Sequence, residues 1–240
     1  MTIHPVWYCA LCLLAVGMAG MVLGSRDKPV EVRRDRLRKT FSYLMIVSAL
    51  LWIGLQSAPL TVYAGISIVA GGSIELVRAI YRSSSHSPAI RRFELASLVV
   101  YVLIAVGFIM FLGRSSGDRN SALFLEVFCF DAFSQVTGQM IGRRHLAPRI
   151  SPKKTVEGFL GGLAAAVVAG WLSLLWHTDS RWLTRAVLTV FGCLAGDLAG
   201  SYFKRMHGLK DFSDWIPYQG GFLDRFGSLM VACAVNGMIA

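Results

Sequence analysis

The chain has 240 residues, of which 55% are hydrophobic and only 16% charged, and its formal net charge is +10. Soluble domains run at about 45–50% apolar and about 25% charged, so this composition excludes an ordinary water-soluble fold and points to the bilayer. Loop topology and anionic headgroups account for the basic excess, and with no basic-aromatic binding module visible, nucleic acid is excluded as a partner.

A bilayer-crossing helix needs about 20 predominantly apolar residues. In chain order, runs of that kind cover 5–24, 41–57, 59–77, 94–113, 120–141, 156–176, 182–203 and 221–239. Lipid offers backbone groups no hydrogen-bond partner, so each run is expected to be a helix. The fold class is therefore all-α: a polytopic integral membrane bundle of about eight transmembrane helices, with 1–240 forming one membrane domain. The first run has no basic segment before it, and the positive charge follows it, so a retained helix is expected rather than a cleaved signal peptide.

The loops between these runs alternate in charge, and Lys and Arg favour the cytoplasmic side. The first loop (SRDKPVEVRRDRLRKT), the third (Arg82, Arg91, Arg92), the fifth (Arg143, Arg144, Arg149, Lys153, Lys154) and the seventh (Lys204, Arg205, Lys210) are basic. The second has no Lys or Arg, the fourth has Arg114 and Arg119, and the sixth has Arg181. This pattern predicts that the odd loops are cytoplasmic and that both termini lie outside. Cys9, Cys12, Cys129, Cys193 and Cys233 all fall in apolar runs and read as small buried hydrophobes.

Acids at membrane depth are costly and mark functional positions. Glu75, Glu126, Asp131 and Asp197 lie inside runs, and Asp224 opens the last one. Glu75 and Glu126 read as interhelical hydrogen-bonding groups. Asp197 shares a helix with Lys204 and Arg205, Asp131 precedes Gly142-Arg143-Arg144, and Asp224 follows Gly220-Gly221, where free backbone N–H groups are expected to bind phosphate. Carboxylates for Mg²⁺, cations for phosphate and glycine-rich turns are the parts that phosphoryl-type transfer requires. Neither a P-loop nor a Rossmann fingerprint is present.

Two stretches carry a family resemblance. Asp131 to Gly162, DAFSQVTGQMIGRRHLAPRISPKKTVEGFLGG, and Gly196 to Gly227, GDLAGSYFKRMHGLKDFSDWIPYQGGFLDRFG, resemble the phosphatidate cytidylyltransferase (CDP-diacylglycerol synthase) family. The likeness covers 131–240, the catalytic part with its cytoplasmic loops, whereas 1–115 resembles the family only as N-terminal membrane helices. It implies condensation of CTP with phosphatidic acid to give CDP-diacylglycerol and pyrophosphate, in a bacterial inner membrane, by a homodimer.

The resemblance also implies a set of site residues. Mg²⁺, alone or with a second cation, falls on Asp197 and Asp224; Lys204, Arg205, Lys210, Asp211 and Arg225 fall in the catalytic set. Asp131, Arg143, Ser151, Lys153, Lys154, Ser201, Gln219, Gly220 and Gly221 fall on the substrates. Ser151 and Ser201 are alternatively helix caps, and Pro152 fits a helix start. Asp214 reads as a loop ion pair and Trp215 as an interfacial anchor. Two positions depart from the family pattern: Gln219 stands where the family has His, and Gly227 where it has Asp. The alternatives are a divergent paralogue acting on another lipid phosphate or nucleotide, and a transporter with buried acids.

Overall fold

Helix α1, described over residues 5–12, is followed by α2 (Val30–Gly54), α3 (Ala58–Tyr81), α4 (Pro88–Arg114) and α5 (Gly117–Ile141). A short hairpin, β1 (His145–Ala147) and β2 (Ser151–Thr155), leads into α6 (Val156–Leu172), then α7 (Trp182–Met206) and α8 (Phe222–Gly237). The computed structural model describes residues 4–12, 15, 30–82 and 87–238. The expected apolar runs become helices with ends shifted by a few residues; most of the run 5–24, and the loop 83–86, lie outside the described residues.

Among the described residues, five helices, α2, α3, α4, α7 and α6 with its 3₁₀ extension to Leu175, are long and apolar enough to cross a membrane. The other two long candidates fail for different reasons. Helix α8 has 16 residues, roughly 24 Å at the α-helical rise. Helix α5 carries Asp118, Arg119, Glu126 and Asp131, yet every residue from Asn120 to Phe130 is buried. Protein surrounds that stretch of α5, which is why it tolerates Glu126.

The first basic loop is corrected by the structure. From Val30 onward VEVRRDRLRKT is helical and continuous with the apolar part of α2. Glu, Arg, Leu and Lys are good helix formers, and Lys39 reaches Asp35 one turn earlier at 2.8 Å. None of the first four turns of α2 is buried; burial begins at Val47.

A second correction concerns the segment after Arg149. Ser151 and Pro152 do not begin a helix: SPKKT is a strand, antiparallel to β1, and Thr155 is the residue that caps α6, accepting from Gly158 N at 3.1 Å. Glu157, two residues on, accepts from the backbone N–H of Arg143 (3.0 Å) and Arg144 (3.2 Å), tying the hairpin to the end of α5.

At the end of the bundle formed by the fourth and sixth loops, a buried network joins α5, α7 and α8. Arg185 donates to Glu126 through Nε (3.0 Å) and Nη2 (2.9 Å), to Ser173 Oγ (2.8 Å) and to Asp179 (2.5 Å). Thr189 donates to the other Glu126 oxygen at 2.9 Å, and Asn236 donates to Thr189 at 3.1 Å. The interhelical role expected of Glu126 is thus present, with a full ionic partner. Four of the five cysteines are buried as expected, Cys12 is exposed, and all five are free.

Candidate active site

A cavity of about 950 Å³ opens where the fifth and seventh loops meet the first turns of α2. Helix α5 brings Asp131 and Gln135 to it, β2 brings Ser151, Lys153 and Lys154, and α7 brings Asp197. The segment between α7 and α8 adds Lys210, Asp211, Asp214, Tyr218, Gln219 and Gly220, and the first turn of α8 adds Asp224 and Arg225. The basic loops predicted to share one face therefore share one cavity.

Among the expected site residues, Arg143, Ser201, Lys204, Arg205 and Gly221 do not line it. Arg143 and Arg205 are exposed, Arg205 turning back to Leu209 O at 3.3 Å. Ser201 sits within α7 and caps no helix start. Lys204 points inward, 2.5 Å from Asp224 Oδ1 and 5.4 Å from the centroid of the Phe212 ring.

The N–H groups at Gly220-Gly221, expected to bind phosphate, donate within the chain, and carboxylates of the chain occupy the start of α8. Gly221 N donates to Asp224 Oδ2 at 3.0 Å, and Phe222 N and Leu223 N donate to the two oxygens of Glu75 at 2.9 and 2.8 Å. Gly220 N is turned to Ile216 O at 3.2 Å, in a tight turn that puts Tyr218 at φ 66° and Gly220 at φ 86°. The first N–H groups of α8 thus already have anionic partners from the chain itself.

The carboxylates differ in how far they are committed. Asp224 accepts from Lys204 on one oxygen and from the N–H groups of Gly221 and Phe212 (2.8 Å) on the other. Asp197 carries the Lys154 ammonium on Oδ2. On Asp131, among the described residues, no hydrogen bond or ion pair falls. Two carboxylates facing one polar cavity suit Mg²⁺, which takes one or two protein carboxylates and keeps the remaining positions for water and phosphate. Asp131 is uncommitted and Asp197 has one oxygen outside its Lys154 contact, whereas both oxygens of Asp224 are engaged.

Residues that motif reading did not reach come from α2. Arg36, Lys39, Thr40 and Tyr43 line the cavity, followed deeper by Leu44, Ile46 and Val47, which face Leu125 and Phe128 of α5 across it. Helix α2 is fastened to the α7–α8 segment by Gln219 Nε2 donating to Lys39 O at 2.6 Å and by Ser42 Oγ donating to Pro217 O at 3.0 Å. The signal in the sequence is the charge run before the second apolar segment, which has no apolar stripe to mark it as helix. Gln219 is thus a structural tie in this chain, and at Gly227 a Cβ would meet nothing within 4 Å.

The sequence model of the cytidylyltransferase family matches residues 2–239. The chain belongs to that family. It is 37% identical over 141 residues to a phosphatidate cytidylyltransferase of Staphylococcus haemolyticus (strain JCSC1435), covering 55% of this chain and 54% of the relative. Phosphatidate cytidylyltransferases of Staphylococcus aureus (strain COL), at 38% over 141 residues, and Staphylococcus saprophyticus, at 36% over 140, match to the same shares. The chain spans about half the length of the curated relatives it matches. With its apolar helices, this kinship makes it an integral membrane protein.

Proposed function

We propose that the protein is a membrane-bound nucleotidyltransferase that condenses CTP with phosphatidic acid, releasing CDP-diacylglycerol and pyrophosphate. The observation that carries this reading is a single cavity with two unlike walls. One wall, from α5, β2, α7 and the α7–α8 segment, carries the charged groups Asp131, Lys153, Lys154, Asp197, Lys210 and Asp211. The other, α2, changes along its length from Arg36 and Lys39 to Leu44, Ile46 and Val47. A water-soluble triphosphate fits the first wall; a phosphate with hydrocarbon attached fits the second.

In this reading a lipid phosphate oxygen, already anionic, attacks the α-phosphorus of CTP. The new P–O–P bond forms as the bond to the β-phosphate breaks, and pyrophosphate carries the leaving electron pair away. No protein nucleophile is needed. Lys153, Lys154, Lys210 and Arg225 line the charged wall and offset the negative charge of the phosphates. Lys204 and Arg205 act at one remove, Lys204 by fixing Asp224. Mg²⁺ would be held by Asp197 with Asp131, and when bound would neutralise phosphate oxygens. Asp211 and Asp214 face the space left for ribose and base.

The same proposal takes the membrane to be the bacterial inner membrane, with odd loops cytoplasmic, both termini outside, residues 131–240 as the catalytic part and a homodimer as the assembly. A transporter reading is not favoured, because Glu75 and Glu126 spend their oxygens on fixed partners within the fold. The test is pyrophosphate release by detergent-solubilised protein given Mg²⁺, CTP and phosphatidic acid. Release that vanishes in Asp197→Asn supports it; no release from folded wild-type protein overturns it and moves the search to other lipid phosphates and nucleotides.

A further inference from the structure

Glu75 lies in α3, a helix that contributes nothing to the cavity lining, and is fully buried. An ordinary interhelical hydrogen bond would occupy one of its oxygens. Here both are spent on one segment: the hydroxyl of Ser213 and Phe222 N on Oε1, and Leu223 N on Oε2. These donors stand at the two ends of residues 213–223, and between them lie the cavity residues Asp214, Tyr218, Gln219 and Gly220. A Cβ at Gly221 would come within 2.5 Å of Glu75 Oε1 and 2.7 Å of its Cδ, so the approach requires glycine at that position. One turn further along α3, Arg78 lies 4.7 Å over the ring of Trp215 in the same segment.

We propose that Glu75 is a positioning residue: from outside the cavity it holds the 213–223 segment, and with it the nucleotide side of the site, in working shape. This rests on the reading of the cavity as the meeting place of CTP and a lipid phosphate. Glu75 touches neither substrate. Its carboxylate joins two chain positions that would otherwise move independently, and its negative charge suits the first N–H groups of α8.

The experiment uses the full-length protein in detergent. In Glu75→Ala the KM for CTP rises about 10-fold or more while the KM for phosphatidic acid, bound along α2, stays within about 2-fold, since displacement of a site by a remote change costs up to about 100-fold. Glu75→Gln keeps one acceptor oxygen and falls between, and serves alone if the Ala variant does not fold. A purely structural loss would lower the active fraction and leave both KM values unchanged. Gly221→Ala is damaging by itself but adds nothing to Glu75→Ala, because the group it collides with is gone. Hydrogen exchange, which needs no turnover, shows the amides of Phe222 and Leu223 losing protection in Glu75→Ala while those of α5 keep theirs. Unchanged KM values in folded variants, or unchanged protection at 222 and 223, overturns the proposal. Absence of turnover in the wild type would instead sink the cavity reading and leave the exchange result to decide the role of Glu75.

Discussion

Asp131, Asp197 and Asp224 look alike in a sequence and differ in place by what already binds them. Asp131→Asn is expected to raise the Mg²⁺ concentration for half-maximal pyrophosphate release with little change in thermal unfolding, since no hydrogen bond or ion pair among the described residues depends on it. Asp224→Asn is expected to lose about 2 kcal/mol of stability, seen as a lower unfolding midpoint in detergent, because it weakens three donor contacts and leaves Lys204 without its counter-charge. Gly227→Asp, which restores the acid of the family pattern, should fold with a stability change within about 0.5 kcal/mol, since its side chain enters open space; a lowered midpoint would show hidden crowding. Motif spacing made the acids legible. It could not show that Glu75, far away in sequence, takes the N–H groups of Phe222 and Leu223, because that contact exists only once α3 packs on α8.

Among the elements, hydropathy located the apolar helices well, because burial in lipid demands long unbroken runs. It failed where charge and helix coincide. The basic turns of α2 carry no apolar stripe and so resemble a loop, and SPKKT resembles a helix start because Ser and Pro suit one. The position of α2 beside the cavity gives a test: Lys39→Met should raise the KM for phosphatidic acid about 10-fold while that for CTP holds, the size expected for a lost charge-assisted contact. The variant keeps the Lys39 carbonyl that Gln219 grips. Where α5 meets α6, a Cβ at Gly162 would stand 2.7 Å from Phe130 O. Gly162→Ala should therefore cost about 1–3 kcal/mol by overpacking, measured by thermal unfolding.

On the scale of the molecule, the charged cavity at one end is matched by the Glu126–Arg185 network at the other, both built on α5. Glu126→Ala takes from Arg185, 1% exposed, the buried one of its two carboxylate partners and leaves only Asp179, and is expected to cost about 3 kcal/mol. Thermal unfolding should show that loss, while turnover at low temperature survives because neither residue lines the cavity. The burial of α5 from Asn120 to Phe130 also bears on how the chain is made. A segment carrying Glu126 and Asp131 partitions poorly into hydrocarbon alone, and the cation that neutralises Glu126 lies 59 residues later, in α7. During synthesis the central helix must therefore wait, sheltered in the insertion machinery or at the interface, until its successors emerge to enclose it; the last third of the chain is what licenses the middle to settle.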